Sequence, residues 1–302
     1  MPAATPRPGP ARADLAMLLV VLIWGANLPV IKAALAEIPL LAFAGIRFAL
    51  ASVAFALILR AREGSILPPA GTGWAMVWLG LLGNTVYQLL FMTGLFHTSV
   101  ANTALILASV PVMVAVFGAA SGIERLTPAI ATGVALAVAG VALVLGQDGA
   151  RLSSQTLSGD LPILAGAACW AAYTLGVRHY AATMSPLRLT TLTILTGTPG
   201  LLLVALPDLV RMDWAAVTPA AWGGVAYSAG LALVVAYTLW NTSVAQVGSS
   251  RTAVYNCLVP VVALSLAWAA LGERPGALQL AGAACIVGGV LVARRAPVGG
   301  AA

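Results

Sequence analysis

Any function of this chain must be built from the polar side chains that sit inside its apolar runs. In the run 73–95, Asn84, Tyr87, Gln88 and Phe91 follow at i, i+3, i+4 and i+7, the spacing of one helix face. In the run 219–245, Tyr237, Trp240 and Asn241 form a similar face, and Tyr237 lies 149 residues beyond Gln88. Trp24 and Asn27 in the run 14–36, and Trp170, Tyr173 and Thr174 in the run 160–180, add further rings and amides. Asn102 and Thr103 (98–119) and Tyr255 and Asn256 (249–271) complete the set. These residue types stack and hydrogen-bond. Together they predict a central substrate-binding cavity that is aromatic, hydrogen-bonding and uncharged.

Arg47 is the one strong charge within an apolar run, 40–60. A cation there is costly unless it faces protein or water, so it is a candidate charge site. Three partners are open to it: a substrate carboxylate, backbone carbonyls, or water reached by extending outward. All nine acidic residues fall at run ends or in loops, and His97 and His179 lie near run ends. No carboxylate or histidine is therefore expected to relay protons in the membrane interior, which favours facilitated diffusion or exchange over proton coupling.

Catalytic signatures such as H-E-x-x-H and G-x-S-x-G are missing, so an enzyme is not expected. Cys169, Cys257 and Cys285 all fall inside runs without a C-x-x-C spacing and read as packing residues. No cofactor and no metal site is expected.

The elements that must position these side chains follow from composition. The 302 residues are 61% hydrophobic and only 8% charged, against roughly 25% charged for a soluble domain. A membrane helix needs about 20 mostly apolar residues. Ten such spans can be read: 14–36, 40–60, 73–95, 98–119, 127–146, 160–180, 186–206, 219–245, 249–271 and 276–293. The first is too long for a signal-peptide core and is expected to stay in place. Trp74, Trp78, Trp214, Trp222 and Trp268 lie near span ends, where indoles anchor at the interface. The fold class expected is all-α and integral to the membrane.

Of the fifteen cations, ten fall on the side of residue 1, four on the other side, and Arg47 within the second span. The positive-inside rule then places both termini in the cytoplasm, in a plasma (inner) membrane. It also explains the net charge of +6 without a nucleic-acid partner.

The stretch Glu124-Arg125 recurs as Glu273-Arg274, 149 residues later, and the same offset carries Pro111 to Pro260, Gly133 to Gly282 and Gly140 to Gly289. Near the start of each half the offset is 146, taking Asp14 to Asp160, Trp24 to Trp170 and Lys32 to Arg178. The chain is thus a repeat. Five spans per half is an odd number, so the second half enters the membrane inverted, which is a transporter architecture.

The divisions expected are a disordered cytoplasmic tail (1–13), a first five-helix repeat (14–146), a linker (147–159), an inverted repeat (160–293) and a second tail (294–302). Each Glu-Arg pair reads as a charged hairpin turn held at the water interface. Pro111 and Pro260 sit at matching depth and are expected to bend their helices as hinges.

Several stretches resemble the drug/metabolite transporter superfamily, EamA branch: "WGANLPVIK", "PLLAFAGIRF", "ANTALILASVPV", "ERLTP", "GERPG" and "CWAAYTLGVR". The resemblance covers nearly the whole chain and implies a ten-helix, basket-like exporter with cytoplasmic termini. Within that branch the aromatic and amide cavity is similar to that of YddG-type exporters of aromatic and other neutral amino acids. The resemblance implies a site formed by spans 1, 3, 4, 6, 8 and 9. The partners expected are a small-molecule substrate and the lipid bilayer; the oligomeric state stays open, a monomer included. A broad exporter of drugs or cationic compounds is the alternative, since the same rings would serve cation–π contacts.

Overall fold

The computed structural model describes residues 10–98, 103, 106–146, 157–259, 261–262, 276–293 and 295. Among them the backbone is helical in every predicted span and forms no strand. Lipid imposes this, because a helix satisfies its own backbone groups where no water can. We number the α-helices α1 (Pro10–Ala34), α2 (Leu40–Glu63), α3 (Gly73–Gly80), α4 (Tyr87–His97), α5 (Val110–Ala120) and α6 (Pro128–Gly146) in the first half. The second half holds α7 (Leu157–Tyr180), α8 (Pro186–Arg211), α9 (Pro219–Tyr227), α10 (Ala236–Val247), α11 (Ser249–Ala253) and α12 (Ala277–Ala293).

Six helical segments are long and apolar enough to cross a bilayer: Ala13–Ala34, Leu40–Glu63, Gly73–His97, Leu157–Tyr180, Pro186–Arg211 and Pro219–Val247. Leu15, Leu57, Leu203 and Val210 are exposed on their outer faces, as lipid-facing residues are. Trp74 and Trp78 are exposed as well, as interfacial anchors would be. The molecule is an all-α, multi-pass integral membrane protein.

Two departures from simple helices stand at corresponding places. Leu81–Val86 joins α3 to α4 as a π-helical stretch, and Ser228–Val235 joins α9 to α10 in the same way. The fourth span is interrupted by a turn at Ala108 and Ser109, and α5 restarts at Val110. Pro111 therefore lies in the first turn of α5, where its missing N–H removes no intrahelical bond. The interruption falls in the turn just before Pro111, where a proline ring crowds the carbonyl four residues earlier. Pro260, its counterpart, lies outside the described residues.

The inversion of the repeat can be read from contacts between equivalent helices. A Cβ built on Gly133 would stand 2.6 Å from the carbonyl oxygen of Gly289, and one on Gly140 would stand 2.6 Å from that of Gly282. As the chain ascends α6 its partners descend α12, so the two are antiparallel with backbones in contact. The same holds for α2 and α8: Gly45 meets Ala205, and Ser52 is hydrogen-bonded to Thr198 at 2.7 Å. Ser52 and Thr198 are 146 residues apart, the repeat offset itself, which puts them on the axis relating the halves. Likewise α7 packs on α4 while α1 packs on α10, the symmetric counterpart.

Polar contacts close the bundle at each end, most of them between the halves. On the face where α1 begins, Asp14 accepts from the Tyr255 hydroxyl and pairs with Arg251 at 3.7 Å. On the same face Arg178 donates to the Ala245 carbonyl at 2.9 Å, and Arg188 pairs with Glu63 at 3.0 Å. On the opposite face Lys32 donates to the Thr98 carbonyl at 3.3 Å, the counterpart of the Arg178 contact. There Thr98 also donates to Asp160 at 2.7 Å, and Thr218 donates to Glu37 at 2.9 Å.

Two expectations are corrected by this arrangement. Asp14 and Asp160 stand near the starts of their helices, Asp160 in the first turn, as their positions suggested, but both are buried. Each is taken out of water by the opposite half of the chain. Glu124 is also more than a solvated turn: its carboxylate accepts from the backbone N–H groups of Ser249 and Ser250, the latter at 2.9 Å. Gly248, at φ +98°, makes the turn that presents those donors. Arg125 beside it is exposed, as a hairpin charge should be. Glu273 and Arg274 lie outside the described residues.

Candidate binding site

Four helices deliver rings to one place near the middle of the bundle. Trp24 of α1 and Trp170 of α7, equivalent residues of the two halves, meet edge-on with centroids 5.8 Å apart. Tyr237 packs against Trp170 at 5.2 Å and Trp24 at 6.1 Å, and Tyr87 lies 5.0 Å from Trp170. The Trp24 indole N–H donates to the Ala232 carbonyl at 3.0 Å, inside the π-helical stretch, which fixes that ring. Such quadrupole-oriented contacts stiffen an aromatic wall.

One cation completes the cluster. Arg47 is 2% exposed, so it does not reach outward to water. Its Nη2 donates to Gln88 Oε1 and lies 3.8 Å from the Met92 sulfur, while the guanidinium carbon stands 5.5 Å from the Phe43 centroid and 5.6 Å from that of Phe48. Among the described residues Arg47 bonds no backbone carbonyl and pairs with no carboxylate. The cavity expected to be uncharged thus carries one cation, held by the Gln88 amide oxygen. The second half carries Thr193 at the equivalent position, so the charge is one-sided.

These groups line one partly open cavity. Of the expected site residues, Trp24, Asn27, Arg47, Tyr87, Gln88, Trp170, Tyr237 and Asn256 line it. Sequence reading missed the apolar remainder of the wall, Leu28, Leu107, Val110, Ala232, Leu233 and Val259. Aliphatic residues carry no signal that separates a cavity wall from ordinary packing. Its described lining offers rings, amides and one cation, groups that stack and hydrogen-bond.

The other expected residues are brought near but serve as struts. Asn84 donates to the Thr193 carbonyl at 2.9 Å, locking α8 against the π-helical stretch. Asn241 donates to the Tyr173 hydroxyl at 2.9 Å and to Thr190 at 2.8 Å, so Tyr173 and Asn241 join α7, α8 and α10 behind the cavity. Trp240 is fully buried and backs the Trp24 ring at 5.2 Å. Tyr255 is turned to Asp14. Asn102 lies outside the described residues. In each strut the amide or hydroxyl is spent on another helix, which periodicity alone does not reveal.

Comparison with known proteins places this geometry. The profile of the EamA-like transporter family matches residues 11–146 and 157–295. A Bacillus subtilis protein named "Uncharacterized transporter YyaM" is 32% identical over 253 residues, 82% of each chain. A Streptantibioticus cattleyicolor protein named "Probable terminal-alkyne amino-acid exporter" is 29% identical, covering 96% of this chain and 95% of its own. An Escherichia coli protein named "Probable amino-acid metabolite efflux pump" is 28% identical, covering 91% and 92%. One solved crystal structure superposes with a TM-score of 0.78 at 21% identity over 94% of this chain and 96% of that one, a likeness of fold.

Proposed function

Because the chain belongs to the EamA-like transporter family, we propose that it exports small zwitterionic metabolites, aromatic and other neutral amino acids foremost, by exposing its central cavity alternately to the two sides. The observation that carries this reading is Arg47, a buried guanidinium that pairs with no carboxylate among the described residues, at a cavity walled by aromatic rings. A buried charge left unpaired is costly, and a ligand carboxylate would relieve that cost. The rings of Trp24, Trp170, Tyr87 and Tyr237 would take an apolar side chain, and their faces also suit an ammonium group. The names of two relatives, which mention amino acids, agree with this chemistry.

Orientation follows from the cation bias: the face where α1 begins is cytoplasmic, in the plasma (inner) membrane, with both termini on that side. The halves 14–146 and 160–293 would rock about the axis through Ser52 and Thr198. Transport would be facilitative, because among the described residues the cavity lining holds no carboxylate or histidine to carry a proton. The aromatic box also favours a second reading, export of cationic drugs, but Arg47 would repel such ligands and no acidic lining residue would offset it.

The test is uptake by purified protein in liposomes, using labelled phenylalanine, threonine and methionine with and without an imposed pH gradient. Saturable uptake without a gradient supports the facilitative reading, and strict gradient dependence would replace it with proton coupling. If folded protein moves a quaternary ammonium but none of the amino acids, the drug-exporter reading takes over.

A further inference from the structure

The Arg47, Gln88 and Tyr237 side chains form a chain of hydrogen bonds whose polarity is chemically forced. A guanidinium can only donate, so the Gln88 oxygen must face Arg47 and the Gln88 NH₂ must face Tyr237. That NH₂ donates to the Tyr237 hydroxyl oxygen at 3.2 Å. With its oxygen accepting, the hydroxyl has its own proton left to give, and among the described residues no acceptor takes it. All three residues line the cavity. A neutral amide thus leaves the guanidinium charge intact while presetting a second donor.

Nearby groups reinforce the bias toward donors. The Asn27 oxygen is occupied by the Ser228 hydroxyl at 2.7 Å, which leaves its NH₂. We infer that Gln88 is the residue that sets charge specificity: it aims Arg47 and the Tyr237 hydroxyl at a single carboxylate, so the cavity selects ligands bearing one over their amides. This rests on the proposed binding of amino acids in the cavity and adds which group of the ligand is read, and by what.

Binding of labelled L-phenylalanine and L-phenylalaninamide to the purified full chain separates the two ideas, since the pair shares a side chain and differs at the carboxylate. Wild type should prefer the acid about 100-fold, as expected where a site's paired donors lose their acceptor. Gln88→Glu sets a carboxylate on Arg47 inside the protein, and the preference should vanish or reverse. Tyr237→Phe should weaken the acid about tenfold and the amide by less, so that the ratio falls.

Should Gln88→Glu not fold, Gln88→Leu serves: it keeps the charge but frees Tyr237, and the preference should fall about tenfold. A Gln88→Glu or Gln88→Leu protein that keeps the wild-type ratio overturns the inference. So does wild type that binds acid and amide equally, although amino-compound binding in the cavity then survives. Folded wild type that binds neither overturns the proposed function itself.

Discussion

Gln88 and Tyr237 occupy the same position in the two halves of the chain, 149 residues apart, and are hydrogen-bonded to each other at 3.2 Å. Trp24 and Trp170 stand in the same relation at an offset of 146, as do Ser52 and Thr198. Pairs of equivalent residues can touch only where the axis of the repeat passes, so the cavity lies on that axis. An inverted repeat makes this the one region that both halves approach alike from either side of the membrane. The identity of each pair then decides where symmetry is kept, as with the tryptophans, and where it is broken, as with Gln88 and Tyr237.

Trp170 holds five aromatic neighbours at once, yet it borders open space rather than filling it. Trp170→Ala should raise the KM for phenylalanine uptake at least tenfold. The loss of stability should stay below the roughly 3–5 kcal/mol typical of a truncated core aromatic. Uptake in liposomes and thermal unfolding in detergent, measured side by side, check it; a well-folded variant with wild-type flux would refute the assignment.

Asp14 and Arg251 join the first helix to the start of the ninth span across the halves. Removing one partner strands a buried charge, so Asp14→Asn or Arg251→Gln should each cost about 3 kcal/mol. The double exchange, Asp14→Arg with Arg251→Asp, should recover part of that loss and of transport. Equal damage from single and double variants, in unfolding and uptake, would show that the pair is not coupled.

Glu124 and Arg125 are neighbours with different duties. Glu124→Ala should destabilise by about 1–2 kcal/mol, the worth of a charged cap on two backbone donors. Arg125→Ala, at an exposed position, should change stability by less than about 0.5 kcal/mol. Unfolding of the two variants in parallel decides this, and the reverse order would restore the plain hairpin reading.

Gly133 and Gly289 meet through their backbones, and Gly140 and Gly282 do so in the mirrored position. A Cβ at 2.6 Å from a carbonyl oxygen forces the helices apart, so Gly140→Ala and Gly289→Ala should both destabilise, and by similar amounts. Gly223→Ala meets nothing within 4 Å and serves as the neutral control. Melting temperatures indistinguishable from the control would mean that α6 and α12 do not need this close approach.

The sequence by itself determined the solvent, the helices and the repeat. Lipid allows a long apolar run only one backbone solution, and the constant offset between Glu124 and Glu273 already implied two related halves. It also assembled the right pool of polar residues, because Tyr87, Gln88 and Tyr237 have no business in a membrane interior unless protein or ligand meets them.

Only the tertiary structure decided which of that pool face a ligand. Helix periodicity assigns Asn84 and Gln88 to one face, but in a bundle that face touches several neighbours. Asn84 is spent on α8 while Gln88 reaches Arg47 and the cavity. Burial of Asp14 and the seating of the Trp24 ring on the Ala232 carbonyl both depend on the opposite half of the chain. Such facts arise from long-range contacts between antiparallel equivalents, and local spacing holds no record of them.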